Sequence, residues 1–214
     1  MFVARILYPV QVLGPGNRVG IWVSGCPRRC EGCANPELWV QNQSQSISMD
    51  ALLDLVDRIA RNNIIDGFTI TGGEPFFQHK ELETLLRALT KWSEDILVFS
   101  GYERKEIESF ASLSNIAVLV DGPYIQEQNE GLTLRGSANQ TIHILKEKFE
   151  ERYNLYLQDK YSKIQNFFDR GSVISVGIHK PDYATTLNSY AESKGLIDGG
   201  NEHESVHTKM AQRT

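Results

Sequence analysis

Cysteine, methionine and tryptophan are scarce in this chain of 214 residues, with three of each. Three cysteines cannot form a disulfide framework, and all three, Cys26, Cys30 and Cys33, fall within eight residues. In a reducing compartment, thiols clustered in this way are more often metal ligands or redox groups than staples. Long hydrophobic runs are absent too: stretches such as residues 116–120 fall far short of the ~18 apolar residues that a membrane span requires. The opening MFVARILYP is broken by Arg5 and Pro9 and has no apolar h-region, so no secretory signal is expected and the expected setting is cytoplasmic. Neither charge sign dominates. Twenty-two Lys and Arg stand against 27 Asp and Glu, a net charge of −5 and a sequence pI near 5.6, which favours neither nucleic acid nor an anionic membrane as partner. Internal repeats and biased segments are missing, and nine Phe and eight Tyr give an ordinary folding composition rather than a disordered one.

What is present reads as alternating strands and helices. Residues 19–24 predict a buried strand running into the cysteine loop. Ser48 is a candidate N-cap for a helix to about residue 62, with Leu52, Leu55, Val56 and Ile59 on one face. A strand at 67–71 ends in Gly72-Gly73, and residues 80–92 carry the apolar stripe Leu82, Leu85, Leu86, Leu89 and Trp92 of a second helix. A strand at 96–99, a short helix at 103–110 and a strand at 116–120 complete the alternation, which implies parallel βαβ units. The length is tight for an eight-fold barrel of about 250 residues. The expected fold is therefore α/β, an open or partial (β/α) barrel of parallel strands with a small C-terminal helix and hairpin appendage. The division expected is a unit of residues 1–145 followed by an extension of 146–214: a charged, Tyr-rich helix, a hairpin turning at Asp169-Arg170-Gly171, and a polar tail from about Ser189 that is expected to be frayed.

The cysteine loop reads Gly25-Cys26-Pro27-Arg28-Arg29-Cys30-Glu31-Gly32-Cys33-Ala34-Asn35-Pro36-Glu37, a C-x3-C-x2-C spacing. Three thiolates at this spacing can surround one [4Fe–4S] cluster, and with no fourth Cys in the chain one iron is left open for a ligand. Arg28 and Arg29 are expected to favour thiolates, and Asn35-Pro36-Glu37 predicts a helix N-cap with proline at its first position. A structural zinc site is the plain alternative; it usually takes four ligands in paired spacing, and the nearest downstream histidine is the distant His79. Thr71-Gly72-Gly73-Glu74-Pro75 sits at the carboxyl end of a predicted strand, where open α/β sheets bind ligands. Glycines there let the backbone approach a ligand closely, although a Gly-Gly turn after a strand is common by itself.

The Cys loop followed by the GGEP element resembles the radical S-adenosylmethionine (SAM) superfamily. The segment WVSGCPRRCEGCANPELW, then Phe99-Ser100-Gly101-Tyr102, Val120-Asp121-Gly122-Pro123-Tyr124 and Leu134-Arg135-Gly136-Ser137-Ala138-Asn139-Gln140, is similar to the anaerobic ribonucleotide reductase activating proteins across about residues 6–143. The resemblance implies that Cys26, Cys30 and Cys33 hold one [4Fe–4S] cluster, with SAM on its open iron. It implies SAM contacts at Gly72, Gly73 and Glu74. It further implies an electron from a flavodoxin-like donor, reductive cleavage of SAM to a 5′-deoxyadenosyl radical, and a glycyl radical formed on a large partner, the anaerobic ribonucleoside-triphosphate reductase. Ser100 and Gly101 are candidate contacts to the SAM ribose or carboxylate, with a simple strand-to-helix turn as the alternative. Asp121 is either a site residue or an Asx turn. Arg135, Asn139 and Gln140 either line the site or the partner's glycine loop, or cap their own loop.

Two departures stand out: Gly32, where many superfamily members carry an aromatic, and the length beyond residue 145. Other functions weighed are activation of a different glycyl radical enzyme, a small-molecule radical SAM enzyme of the 7-carboxy-7-deazaguanine synthase type, and a non-catalytic Fe–S or zinc binding module. His203-Glu204-Ser205-Val206-His207 spells H-E-x-x-H, but in a polar tail with no later ligand it does not read as a metalloprotease. His79, His143 and His179 show no partner spacing and read as surface or satisfied residues.

Overall fold

The structure is a computed structural model and describes residues 1–169 and 172–193. Its centre is a six-stranded sheet whose strands lie side by side in chain order: β1 (Val3–Val10), β2 (Arg18–Val23), β3 (Gly67–Gly72), β4 (Ile96–Phe99), β5 (Val118–Asp121) and β6 (Thr141–Ile144). β2 to β5 are parallel, in register at pairs such as Ile21 with Ile70 and Leu97 with Val118. The two outer strands run antiparallel to their neighbours. An all-parallel sheet was expected, and the edges correct it. β1 escapes period-two reading because it is an edge strand with two register shifts, the second spanning Pro9, and proline is tolerated at such positions.

Side-chain alternation sorts the sheet into two faces. Val19, Ile21, Val23, Phe68, Ile70, Ile96, Val98 and Leu119 point to one side and are fully buried against α1 (Met49–Asn62), α2 (His79–Leu89) and α3 (Arg104–Ile107). α1 starts where expected, with Ser48 Oγ accepting the Ala51 N–H at 3.2 Å. α2 supplies Leu82, Leu85, Leu86 and Leu89 to the core and stops three residues before Trp92, which packs on the cluster's edge. Trp22, Leu97, Val118 and Val120 point to the opposite side. That face is covered by residues 10–13 and Leu38 on the β2 side and, for the rest, by chain from beyond residue 130.

Part of this cover is α4 (Glu150–Tyr156), whose Tyr153 is fully buried beside Leu97 and Val118. Next comes a hairpin of β7 (Gln165–Asp169) and β8 (Ser172–Val176), whose Val176 packs with Val10, Trp22 and Leu38. α5 (Tyr183–Ser193) follows, so residues 189–193, expected to be frayed, are helical. The expected hairpin turn at Arg170-Gly171, the tail from residue 194 and the H-E-x-x-H letters at 203–207 lie outside the described residues.

At the amino ends of the strands sits a buried charge that the sequence reading missed. Arg18 has no exposed surface; its guanidinium donates to Thr69 Oγ1 at 2.8 Å, to the Phe68 carbonyl at 2.6 Å and to Asp95 Oδ1 at 3.1 Å. Tyr153 OH donates to the same Asp95 oxygen at 2.7 Å. A buried guanidinium is tolerated only with its donors spoken for, and this pairing ties α4 to the sheet.

Candidate functional site: a thiol-lined cavity at the strand ends

The carboxyl ends of β2, β3 and β4 open into a cavity of about 610 Å³. The cysteine loop leaves β2 and is closed at its base by backbone bonds, Gly25 N–H to the Leu38 carbonyl (2.8 Å) and Cys26 N–H to the Trp39 carbonyl (2.9 Å). Within it Arg29 (φ 46°) and Gly32 (φ 65°) take left-handed conformations. A Cβ on Gly32 would lie 1.6 Å from Gln126 Oε1, so any side chain there would have to displace Gln126 as well as hold the left-handed backbone. The helix expected after Asn35 is a single 3₁₀ turn, Pro36–Leu38, and the Asn35 side chain does not cap it. The cause is local: the Asn35 N–H donates to Cys33 Sγ at 3.4 Å, and the Leu38 and Trp39 carbonyls turn away to close the loop base.

Cys26, Cys30 and Cys33 all line the cavity as free thiols. The expectation that Arg28 and Arg29 ease their ionisation fails for two of them. Burial pushes the Cys26 and Cys33 thiols above the usual range, more than the backbone N–H groups of Arg28 and Arg29 on Cys26, or of Asn35 on Cys33, pull them down. Arg28 spends its charge elsewhere: its guanidinium lies 5.0 Å from the Tyr102 ring centroid, and its side chain crosses Gly101, where a Cβ would meet Arg28 Cδ at 2.5 Å.

Gly72, Gly73 and Glu74 line the same cavity, and the structure gives the glycines a second reason to be there. A Cβ on Gly72 would lie 2.5 Å from the Val23 carbonyl oxygen, and one on Gly73 would lie 2.6 Å from that of Gly25. The backbone they must approach is that of the cysteine loop, to which Gly73 and Glu74 also donate, N–H to Val23 O at 2.7 Å and to Gly25 O at 2.9 Å. Glu74 is almost wholly buried. Its carboxylate accepts from Gly101 N–H (2.7 Å), Ser100 Oγ–H (3.0 Å) and Phe76 N–H (3.0 Å). Burial pushes its pKa up to about 7 despite those donors and the nearby Arg28. Glu74 therefore locks the end of β3 to the end of β4, and through Ser100 and Gly101 it builds one continuous floor.

Of the other predicted positions, Gln140 reaches the cavity, but its side chain also caps its own loop, accepting from Gly136 N–H (2.7 Å) and donating to the Gly122 carbonyl (2.9 Å). Asp121, Arg135 and Asn139 are not among the lining residues. Asp121 accepts the Arg104 N–H at the start of α3 (2.5 Å) and pairs with His143 Nε2 on β6 (2.9 Å), while Asn139 donates to the Pro123 carbonyl. His143 thus has a specific partner, and His179 lies in the cavity wall, bonded to Ser175 Oγ at 2.9 Å. Sequence reasoning missed Trp39, Tyr124, Gln126 and Asn129, and above all the wall made by residues 175–188, including Ser175, Val176, His179, Tyr183 and Asn188. The hairpin itself was legible, but no local signal says that it folds back onto the strand ends.

The donor set suits an iron–sulfur cluster better than a lone ion. Among the described residues no three His, Cys, Asp or Glu converge to hold one metal ion, whereas in a cluster each iron takes its own thiolate. The site is thus that of an iron–sulfur protein, three thiols facing a cavity at the strand ends of an α/β sheet. The chain belongs to the 4Fe–4S single cluster domain family, whose model matches residues 12–143, and within it to the anaerobic ribonucleoside-triphosphate reductase-activating proteins. It is 38% identical to the protein of that name from Vibrio cholerae over 149 residues, covering 64% of this chain and 94% of the relative. The Escherichia coli protein is 35% identical over 153 residues (65% and 96%), and that of bacteriophage T4 is 32% identical over 143 residues (64% and 90%). About a third of this chain thus has no counterpart in these relatives.

Proposed function

We propose that the chain activates an anaerobic ribonucleoside-triphosphate reductase by generating a glycyl radical on it, with SAM as the reductively cleaved cofactor. The observation that carries this reading is the convergence of the three thiols, the Gly72-Gly73-Glu74 turn and Ser100-Gly101 on one cavity, in a chain whose relatives bear the activating-protein name. Cys26, Cys30 and Cys33 are the ligands that would hold the cluster, which when bound supplies the electron that splits the SAM sulfonium and so yields the radical that takes a glycine hydrogen. The chain's own part is positioning. The turn at Gly72-Gly73 lays backbone beside the cluster loop, and Glu74 fixes the ends of β3 and β4. A flavodoxin-like protein is the proposed donor, and the cytoplasm the proposed setting; no helix among the described residues is long and apolar enough to cross a membrane. We also propose that the open sheet curls as a partial barrel around the cavity, a reading supported by Leu13, Trp22, Thr71 and Phe99 lining it from successive strands and loops.

The test is anaerobic reconstitution, followed by iron and sulfide analysis and measurement of 5′-deoxyadenosine formed from SAM after reduction, then of glycyl radical on the reductase by electron paramagnetic resonance. About four irons, reductant-dependent deoxyadenosine and a radical signal on the reductase are expected. Bound zinc, or a cluster that never cleaves SAM, would overturn the reading.

A further inference from the structure

Two N–H groups of the cysteine loop converge on Cys33. The Asn35 N–H donates to its Sγ at 3.4 Å. The Trp39 indole acts on the same sulfur and in the same sense, drawing the thiol down, although burial outweighs both. Main chain sets the place of Trp39: its carbonyl accepts the Cys26 N–H at 2.9 Å, and its own N–H donates to the Pro36 carbonyl at 3.2 Å. Residues 33 and 39 both line the cavity. The indole Nε1 itself is buried, and no atom meets it with the distance and angle of a full hydrogen bond. Neither water nor a molecule in the cavity can reach a proton so covered, so its acceptor must be a protein atom. A buried indole N–H is ordinarily paired. A thiol sulfur accepts only weakly, whereas a charged acceptor makes a hydrogen bond that is shorter and about twice as strong.

We propose that Trp39 tunes the cluster through Cys33: its Nε1–H donates to Cys33 Sγ once that sulfur is a cluster thiolate, and so raises the reduction potential. The inference rests on the three cysteines holding an iron–sulfur cluster. An added electron makes the cluster sulfurs more negative, so an N–H aimed at one of them stabilises the reduced state more than the oxidised one. Hydrogen bonds to the sulfurs are among the levers that set such potentials. The Asn35 contact comes from main chain and would survive most substitutions there, whereas the indole contact depends on the residue type at position 39. Trp39 is thus a positioning residue for the electron that the reaction needs, and it lets the cluster be reduced by a weaker donor.

The test is a redox titration of the anaerobically reconstituted full chain, followed by electron paramagnetic resonance. Wild type is compared with Trp39→Phe and with a chain carrying benzothienylalanine at position 39, in which sulfur replaces the indole N–H and the ring shape stays. Both variants should retain about four irons. Each should shift the reduction equilibrium about tenfold towards the oxidised cluster, the worth of one hydrogen bond, which lowers the one-electron midpoint by about 59 mV. Water let in beside a smaller ring would favour the more negative, reduced state and raise the midpoint. A rise, or no shift in either variant, would therefore overturn the inference while leaving the cluster reading intact. Wild type that takes up no iron–sulfur cluster would overturn both. If neither variant loads its cluster, wild type labelled with nitrogen-15 in the tryptophan indole decides: a nitrogen-15 coupling to the reduced cluster is expected, and its absence would overturn the inference by itself.

Discussion

The cluster-loop wall of the cavity is held by main chain: Gly25 and Cys26 donate to the Leu38 and Trp39 carbonyls, and Gly73 and Glu74 donate to Val23 and Gly25. The C-terminal wall leans on side chains: Val176 in an apolar pocket, Gln165 bridging to the Pro9 carbonyl at 2.8 Å, and Asn129 donating to the His179 carbonyl at 2.7 Å. Backbone contacts constrain which residue types fit, as Gly73 shows. Side-chain contacts at the far end of a chain leave no local pattern. One wall is therefore written as a motif, and the other is not.

The contrast can be broken from either side. Cys30→Ala should cut deoxyadenosine formation more than about 100-fold, beyond the effect of an outer hydrogen bond, with iron analysis showing loss of cluster. The next effect is set by pH. Glu74 ionises near 7 in the fold and near the usual carboxylate value when unfolded, so its contribution is complete below about pH 4.5, is lost as pH rises towards 7, and is flat above. That slope is worth roughly 3 kcal/mol. Glu74→Gln should remove it, which urea melts at pH 4.5 and 8 would reveal, and an unchanged slope would exonerate Glu74. Gly73→Ala places a Cβ against the Gly25 carbonyl and should cost about 1–3 kcal/mol, accompanied by reduced iron uptake. Val176→Ala should cost about 1.5 kcal/mol while leaving iron uptake untouched; a loss of iron equal to that of Gly73→Ala would show the two walls to be one unit. Smallest is Arg5→Ala, which removes the partly exposed pair with Glu37, at about 0.5 kcal/mol in the same melts.

The helices and inner strands were legible because their apolar residues repeat at clean periods, and Ser48 marks its helix start by a side-chain cap. The thiols and the Gly72-Gly73-Glu74 turn were legible because spacing alone places them at adjacent strand ends. β1 was hidden by its bulges and Pro9, and β6 by four residues with a polar start. Asp121 looked like a site residue because it ends a strand on the right edge, yet a strand end offers two directions, and its carboxylate turns to Arg104 and His143. The role of Glu74 was half visible: the motif locates it, but only tertiary structure shows Ser100 and Gly101 converging on its oxygens.

Arg18 and the cysteine loop sit at opposite ends of β2, so the sheet is held in two different ways along its length. At the anchored end, Asp95 gathers Arg18, Tyr153 and, at 3.4 Å, Arg152 into one charged knot that joins β2, the approach to β4 and α4. Removing Arg18 or Asp95 would strand the other's charge in a medium that cannot solvate it. At the other end the strands carry the cavity, and among the described residues no ion pair joins the cluster loop to α5. The strands are thus fixed by charge at their amino ends, and at the carboxyl ends by neutral main-chain bonds of the cysteine loop and by the Glu74 carboxylate.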